Sequence, residues 1–389
     1  MNEFRFIGKI PASKSMLNRA WLAKSFAPEL EIAGESHCDD VERMKEAVQA
    51  LQERRAIEVG SAGTVLRFMT LRAAREPGEH VLKGEKSLFA RPQDELVKIL
   101  KQLGVEARLG ADRLELTGQG WRVQGDTLLV ETGRSSQFAS GVLLNAWNLP
   151  FDLYVSLGGR KVSEGYWKMS VQMAQDLGLK IDFWDGDFRV PRYQMPTVPK
   201  IHCEIDMSSA FVLGAIAAVA GHATLLEFPD RSLQPDAVFA DVLRAMGAEV
   251  KTGGGRLEVH RARTLRGVAV NLASTPDLFP VLAALGSLAE GETDLFGAAH
   301  LAHKESNRLE RMAEMLRQTG REIVLKDDGM KIFGPLKGKA RIAVDGDQDH
   351  RLAFAAAVLK YAGHDVSVEH PEVVTKSFPE FWNIVGWQP

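Results

Sequence analysis

The first candidate functional residues lie in one short stretch near the start of the chain, residues 11–19. This stretch holds two cations, Lys14 and Arg19, together with three hydroxyl or amide side chains. The apolar residues that follow recur at three- and four-residue spacing, which predicts an amphipathic helix beginning here. Backbone N–H groups and the positive end of a helix dipole favour a phosphate or carboxylate. The stretch therefore predicts an anion site, and an ordinary serine cap on a solvated first turn fits it equally well on its own.

Length, charge and cysteine content limit the class of protein. A chain of 389 residues is too long for one compact core and predicts two domains. A net charge of -3 gives the chain no overall positive charge that would attract nucleic acid or a membrane surface, so we expect a small-molecule substrate. Cys38 and Cys203 lack CxxC or Cys–His spacing, which indicates neither a disulfide framework nor a zinc site. The absence of a hydrophobic leader or membrane-length apolar run predicts a cytoplasmic protein.

The elements that must position these residues form an internal repeat of an apolar helix, a short turn and a strand. The repeat begins six times, at Ser15, Gly60, Ser135, Asp206, Pro276 and Asp349. A helix end, a glycine and a two-stranded hairpin follow in four places, at Gly104, Gly178, Gly247 and Gly320. Helices that are apolar on every side must be buried, so sheet must surround them in two bundles of three. Their polar amino ends would concentrate donors and positive potential.

Seven short motifs occur along the chain in a fixed order. They are residues 11–19, 61–67, 91–92, 135–138, 304–308, 349–351 and 376–379. Together they resemble the 5-enolpyruvylshikimate-3-phosphate (EPSP) synthase family of enolpyruvyl transferases. The resemblance implies an α/β (α+β) fold, a two-domain inside-out α/β barrel built from six βαβαββ repeats, three per domain. It implies an N-terminal domain over residues 11–204 and a discontinuous C-terminal domain over residues 1–10 plus 205–389, closing on substrate.

The resemblance also implies an activity. The enolpyruvyl group of phosphoenolpyruvate would be transferred to the 5-hydroxyl of shikimate 3-phosphate, releasing phosphate, in the route to chorismate and aromatic amino acids. No metal or organic cofactor is implied, glyphosate is an expected inhibitor that competes with phosphoenolpyruvate, and a monomer is expected. Both substrates carry a phosphate and a carboxylate, so such a site needs many fixed cations, and arginine suits these anions best.

Matching motifs assigns residues to the two substrates and to the chemistry. Phosphoenolpyruvate is implied to contact Lys14, Gly63, Thr64, Arg91, Gln137, Arg308, Arg351 and Lys376. Shikimate 3-phosphate is implied to contact Lys14, Ser15, Arg19, Ser135, Ser136, Gln137, Ser163, Tyr166, Asp277, His300 and Lys304. The implied catalytic residues are Glu305 as proton donor and Asp277 as proton acceptor, assisted by Lys14 and His350. Lys304 and Arg308 flank Glu305 and would lower its pKa, so a protonated donor needs burial or hydrogen bonding to oppose them.

Some positions depart from the family pattern, and two other functions are therefore considered. The departures are Ala12 for glycine, Ser61 for asparagine, Phe68 for proline, His300 for asparagine and Asn307 for aspartate. The sister enzyme that acts on UDP-N-acetylglucosamine has Lys-Asn in its opening motif and usually a cysteine before the matching arginine. Here Ser15 follows Lys14, and residues 84–90 contain no cysteine. The departures also motivate a second alternative, a catalytically silent anion-binding homologue.

Overall fold

The structure is a computed structural model, and it describes residues 3–159, 162–334, 338–346 and 349–389. The chain forms two compact units: a discontinuous unit, residues 1–13 with 204–389, and a continuous unit, residues 14–203. Residues 11–13 and Glu204, which the sequence assigned to the N-terminal domain, belong to the discontinuous unit. There the amide of Ser13 donates to the carbonyl of Glu204 at 2.7 Å, and the amide of Asp206 donates to the carbonyl of Pro11 at 3.0 Å.

The secondary structure alternates strands and helices along most of the chain. The strands are β1 (Phe4–Gly8), β2 (Glu31–Ala33), β3 (Ile57–Gly60), β4 (Pro77–Gly84), β5 (Glu106–Leu109), β6 (Arg113–Gln119), β7 (Leu128–Glu131), β8 (Leu153–Gly158), β9 (Asp182–Trp184), β10 (Asp187–Val190), β11 (Lys200–His202), β12 (Gly221–Leu226), β13 (Glu249–Gly253), β14 (Arg256–His260), β15 (Ala269–Asn271), β16 (Gly291–Phe296), β17 (Glu322–Lys326), β18 (Gly329–Gly334), β19 (Arg341–Asp345) and β20 (Asp365–Glu369). The helices are α1 (Lys14–Lys24), α2 (Asp39–Gln52), α3 (Gly63–Ala73), α4 (Lys86–Phe89), α5 (Asp94–Gln102), α6 (Gln137–Leu144), α7 (Glu164–Asp176), α8 (Met207–Ala220), α9 (Phe239–Ala245), α10 (Phe279–Leu288), α11 (Arg308–Arg317), α12 (His350–Tyr361) and α13 (Phe381–Val385). Short 3-10 helices cover Pro235–Val238, Pro276–Leu278, Ala299–His303 and Pro371–Lys376.

Each unit contains the same kinds of sheet. In the continuous unit the strand orders are β3-β4-β6-β5, β7-β8-β10-β9 and β11-β2. In the discontinuous unit they are β1-β12-β14-β13, β15-β16-β18-β17 and β19-β20. Every sheet begins with a parallel pair, and the hairpins of the four-stranded sheets add antiparallel strands. A parallel pair needs a crossover connection. One apolar helix, α3, α6, α10 or α12, lies between the paired strands in four of these sheets, whereas the strands of the β1/β12 and β11/β2 pairs are far apart in the chain.

The apolar helices occupy the centre of each unit. In the continuous unit α1, α3 and α6 contact one another, and in the discontinuous unit α8, α10 and α12 do the same. All residues of α12 from His350 to Leu359 are buried, as expected for a helix without a polar face. The sheets cover these helices because a helix that is apolar all round cannot face water. The predicted bundles of three are therefore confirmed.

Two repeats are shorter than predicted. The repeats that contain α1 and α12 have two-stranded sheets, β11-β2 and β19-β20, whereas the other four have the complete four-stranded sheet. Four residues separate α2 from β3, and this connection is too short for a hairpin. The two-domain α/β architecture is confirmed, but among the residues that the structure describes the βαβαββ unit is complete in four of the six repeats. Among the described residues, no helix combines the length and apolarity that a membrane span requires.

Candidate active site

The predicted site residues fall into two groups, one in each unit. In the continuous unit most of them lie at the amino ends of α1, α3, α6 and α7, with Arg19 in the middle of α1 and Arg91 just after α4. We call this group cluster I. Its members are Lys14, Ser15, Arg19, Gly63, Thr64, Arg91, Ser135, Ser136, Gln137, Ser163 and Tyr166. In the discontinuous unit they lie near the starts of α10, α11 and α12 and on the last 3-10 helix, and we call them cluster II. Its members are Asp277, His300, Lys304, Glu305, Arg308, His350, Arg351 and Lys376.

Lys14 begins α1 and forms an ion pair with Asp40 of the neighbouring helix α2. The Lys14 Nζ lies 2.9 Å from Asp40 Oδ2, and the two side chains are 15% and 8% exposed. The two helices are in contact with each other. An ion pair with so little access to water is screened less than a surface pair. The ammonium of Lys14 is therefore fixed by a carboxylate that lies 26 residues further along the chain.

Arg19 is buried and held by groups from two helices. Its Nε donates to Ser170 Oγ of α7 at 2.8 Å, and its Nη1 donates to the carbonyl of Ser15 at 2.7 Å. Its guanidinium carbon lies 5.4 Å from the ring centre of Phe68, the residue that replaces the usual proline. Burial lowers the pKa of Arg19 to about 10. This arginine is still charged at neutral pH, in a poorly hydrated position that strengthens its attraction for an anion.

The side-chain amide of Gln137 is oriented from both sides. Arg67 Nη1 donates to Gln137 Oε1 at 2.7 Å, and Gln137 Nε2 donates to Thr64 Oγ1 at 2.9 Å. The guanidinium of Arg91 lies close to the start of α3. A Cβ atom placed on Gly63 would be 3.6 Å from Arg91 Nη1. Three of the predicted phosphoenolpyruvate contacts, Gly63, Thr64 and Gln137, are thus grouped with Arg91 around one helix terminus.

The remaining polar residues of cluster I surround the starts of α6 and α7. Ser135 Oγ accepts a hydrogen bond from the amide of Gln137 at 3.2 Å, and Ser136 is buried. Ser163, also buried, adopts a left-handed φ of 52° immediately before α7. The carbonyl of Tyr166 accepts from Arg19 Nη2 at 3.4 Å. A non-glycine residue held at positive φ costs about 1–3 kcal/mol, and such strain is concentrated at functional sites.

Asp277 and two arginines form the centre of cluster II. Asp277 Oδ1 accepts from Arg308 Nη1 at 2.9 Å, and Asp277 Oδ2 accepts from Arg351 Nη2 at 2.6 Å. Burial opposes ionisation of Asp277, but the charges of Arg351, Lys304 and Arg308 outweigh it and hold the pKa of this carboxyl well below its ordinary value. Asp277 is therefore a carboxylate throughout the physiological range of pH.

Arg308 binds three carboxylates that come from separate parts of the chain. Besides Asp277, its Nη2 donates to Glu305 Oε2 at 2.9 Å, and its Nε donates to Asp349 Oδ2 at 2.7 Å. The Arg308 side chain is 2% exposed, and Asp349 is fully buried. Burial alone would lower the pKa of Arg308, but Asp349, Glu305 and Asp277 raise it above its ordinary value. Arg308 therefore organises the predicted acid and base as well as offering a cation.

Asp349 also fixes the start of α12. Its Oδ1 accepts from the amide of Arg351 at 3.1 Å, which caps the helix, and its Oδ2 accepts from Ser306 Oγ at 3.0 Å. His350 follows as the first helical residue, fully buried, with its ring 5.6 Å from Phe354 in an edge-to-face contact. Lys376, at the end of the last 3-10 helix, is also buried. The cations of cluster II are thus held in a largely dehydrated environment.

His300 lies close enough to Lys304 and Asp277 to interact electrostatically with both of them. Burial, then the positive charges of Lys304 and Arg308, lowers the pKa of His300 to about 3, although Asp277 opposes this shift. Burial likewise lowers the pKa of Lys304. At neutral pH the imidazole of His300 is therefore uncharged.

We expect His300 to contribute to acid sensitivity. An unfolded histidine has a pKa of about 6.5, so between pH 6.5 and about 3 the unfolded chain binds a proton that the folded protein excludes. Stability therefore falls as pH decreases through this window, by at most about 1.4 kcal/mol per pH unit. Urea unfolding at several pH values should give a shallower acid loss for His300→Asn than for the original chain. Parallel curves would contradict this assignment.

The sequence model of the EPSP synthase (3-phosphoshikimate 1-carboxyvinyltransferase) family matches residues 7–385. The chain belongs to the EPSP synthase family. The 3-phosphoshikimate 1-carboxyvinyltransferase of Methanothrix thermoacetophila is 36% identical over 332 residues, which cover 84% of this chain and 77% of that protein. The enzyme of the same name from Methanothermobacter thermautotrophicus is 34% identical over 337 residues, covering 84% of this chain and 77% of that protein.

Solved structures of EPSP synthases and of a related enzyme share the fold. An EPSP synthase from Acinetobacter baumannii superposes with a TM-score of 0.73 at 22% identity, covering 99% of this chain and 95% of that chain. The enolpyruvyl transferase NikO from Streptomyces tendae gives a TM-score of 0.74 at 15% identity, with the same coverage. At these identities the likeness concerns the fold. It supports the two-domain α/β architecture of the EPSP synthase family.

Several residues that hold the predicted EPSP synthase site in place received no role from the sequence. They are Asp40, Ser170 and Asp349, which contact Lys14, Arg19 and Arg308 respectively. Asp349 lies inside a matched motif, where its position before an apolar helix indicates a cap. Asp40 lies in the acidic first turn of α2, which indicates a helix start but does not identify Lys14 as its partner.

Proposed function

We propose that this chain transfers the enolpyruvyl group of phosphoenolpyruvate to the 5-hydroxyl of shikimate 3-phosphate and releases phosphate. The observation that supports the proposal is the EPSP synthase family match over residues 7–385. The predicted acid, base and cationic anchors are all present within that range. Relatives that carry the name 3-phosphoshikimate 1-carboxyvinyltransferase match 84% of the chain.

The reaction needs two proton transfers in its first half. As the 5-hydroxyl oxygen bonds to C2 of phosphoenolpyruvate, Glu305 gives a proton to the methylene carbon and Asp277 accepts the hydroxyl proton. In the second half the methyl group returns a proton to the Glu305 carboxylate, the double bond re-forms and the bond between C2 and the phosphate oxygen breaks, while Asp277 gives its proton to the departing phosphate. The enolpyruvyl ether and inorganic phosphate leave. Lys14 stabilises the negative charge on the phosphate oxygen, and His350 supports the proton donor.

Binding of phosphoenolpyruvate changes the surroundings of both carboxyl groups. Arg308 and Arg351 bind Asp277 and hold it ionised, so it is a weak base in the arrangement described above. The anionic groups of phosphoenolpyruvate compete for these guanidinium groups and add negative charge beside Asp277 and Glu305. A like charge nearby favours protonation of a carboxyl. The substrate thereby raises the basicity of Asp277 and favours the protonated donor form of Glu305.

Cluster I supplies the contacts to shikimate 3-phosphate. Ser135, Ser136 and Ser163 lie at helix amino ends, where hydroxyl and amide donors suit a phosphate. Arg19 and Lys14 add charge, and the oriented amide of Gln137 contacts both substrates. Arg91 binds phosphoenolpyruvate at the start of α3, where Gly63 allows close approach of the backbone. In cluster II, Lys304, His300 and Asp277 complete the binding of shikimate 3-phosphate.

A phosphate-release assay tests the function directly. Purified protein given phosphoenolpyruvate and shikimate 3-phosphate should release one phosphate per enolpyruvyl ether formed, and either substrate alone should release none. A parallel reaction with UDP-N-acetylglucosamine as acceptor tests the sister activity. Binding of both expected substrates without phosphate release would favour the silent anion-binding homologue. Turnover with the UDP-sugar alone would replace the proposed acceptor.

Glyphosate should compete with phosphoenolpyruvate. It carries a carboxylate and a phosphonate, which suit the same arginine and lysine anchors as the substrate anions. Increasing glyphosate should raise the apparent KM for phosphoenolpyruvate and leave kcat unchanged at saturating phosphoenolpyruvate. An active enzyme that millimolar glyphosate does not inhibit would show that this pocket is altered.

A further inference from the structure

We infer that Asp40 is a positioning residue that fixes the ammonium of Lys14 for the transfer reaction, an inference that rests on the proposed function. Lys14 is predicted to contact both substrates and to stabilise developing charge. A lysine side chain has four rotatable carbon–carbon bonds, so its ammonium needs an external contact to stay in one place. Asp40 supplies that contact at 2.9 Å.

The backbone places Asp40 for this purpose. It is the second residue of α2, and Cys38 precedes the helix in an extended conformation. The amino end of a helix stabilises a carboxylate, and only 8% of the Asp40 side chain is exposed there. Asp39, its neighbour in the same helical turn, is exposed instead. The two adjacent acids therefore have the same local sequence setting and different surroundings.

The surroundings of the pair contain little water. Cys38 is fully buried and lies near both charges, and burial raises the pKa of its thiol to about 11. The thiol is therefore neutral at pH 7 and adds no charge to the pair. In such a position the attraction between Lys14 and Asp40 is stronger than between exposed side chains. The ion pair can hold the Lys14 ammonium without help from bulk solvent.

Asp40 has opposite effects on turnover and on anion binding. Fixing the ammonium favours turnover, because a displacement of about 1 Å at a reacting centre can cost about 100-fold in rate. The negative charge of Asp40 also offsets the positive charge of Lys14, and it therefore weakens the attraction of this site for anionic substrates. Loss of Asp40 should therefore lower kcat while leaving the affinity for phosphoenolpyruvate unchanged or higher. A residue needed only for folding would not produce this separation.

The test compares Asp40→Asn with Asp39→Asn in the phosphate-release assay. We expect kcat to fall about 10- to 100-fold in Asp40→Asn, with no increase in KM for phosphoenolpyruvate, and Asp39→Asn to match the original chain within twofold. Asp40→Glu keeps the charge but lengthens the side chain, and it should also lower kcat at unchanged KM. If Asp40→Asn lowers the melting temperature, Asp40→Glu provides the test instead, because it keeps the charge.

A double-mutant cycle tests whether Asp40 acts through Lys14. In a Lys14→Met background, Asp40→Asn should change kcat by less than twofold, because no ammonium remains to be positioned. The double variant also leaves neither charge buried without its counterpart. An equal fall in both backgrounds, an unchanged kcat in the single variant, or a parallel rise in KM would overturn the inference. An original chain that releases no phosphate would instead overturn the proposed function.

Discussion

The Asp277→Asn variant is expected to retain its fold and its affinity for shikimate 3-phosphate while losing about 10²- to 10⁴-fold in kcat. Asparagine has nearly the shape of aspartate, and its carbonyl oxygen can still accept from Arg308 or Arg351. It cannot accept the proton of the substrate hydroxyl as a carboxylate does. Steady-state phosphate release measures the loss, and calorimetric titration with shikimate 3-phosphate measures binding.

The matched control for this prediction is Asp241→Asn. Asp241 lies in the same unit, pairs with Arg244 and has a side chain that is 80% exposed. Its replacement should leave both kcat and substrate affinity close to those of the original chain. A rate near the original value in Asp277→Asn would remove this residue from the role of proton acceptor and leave it as a group that orients the arginines.

The Arg308→Met variant is expected to lose about 3–5 kcal/mol in the free energy of unfolding. Arg308 pairs with Asp277, Glu305 and Asp349, and the last of these is fully buried. Methionine fills much of the same volume but removes the cation that the three carboxylates share, and Asp277 keeps only its contact with Arg351 among the two arginines described. Urea unfolding at pH 7 measures the difference, and turnover should be lost along with stability.

Both a control and a pH series sharpen this prediction. Arg311→Met, one turn further along α11, removes a 36% exposed arginine that pairs with Glu314 and should cost less than about 1 kcal/mol.

The folded-state pKa of Asp277 is depressed, so the stability it supplies is present above its unfolded pKa, about 3.9, and is lost as pH falls through the folded value. The difference between Arg308→Met and the original chain should shrink in acid. Equal stability at pH 7 would contradict the role of Arg308 as the centre of cluster II.

Local contacts within these clusters followed from the sequence, whereas distant ones did not. Glu305 and Arg308 are three residues apart and form an ion pair, with Glu305 just before α11 and Arg308 as its first residue. The other carboxylates on Arg308 come from 31 residues before it and 41 residues after it. No periodicity connects such positions, so their meeting depends on how α10, α11 and α12 pack. The low pKa of Asp277 has the same origin, because it sums charges from several segments.

The sequence by itself determined the repeating helices, their burial and the motifs that identify the family. These properties depend on the order of apolar and polar residues over one or two helical turns, which is local information. Only the tertiary structure decided that Asp40 holds Lys14, that Ser170 holds Arg19, and that the described residues of two repeats form two-stranded sheets. Ion pairing and burial depend on distance in space, and folding brings together residues whose separation along the chain carries no record of that distance.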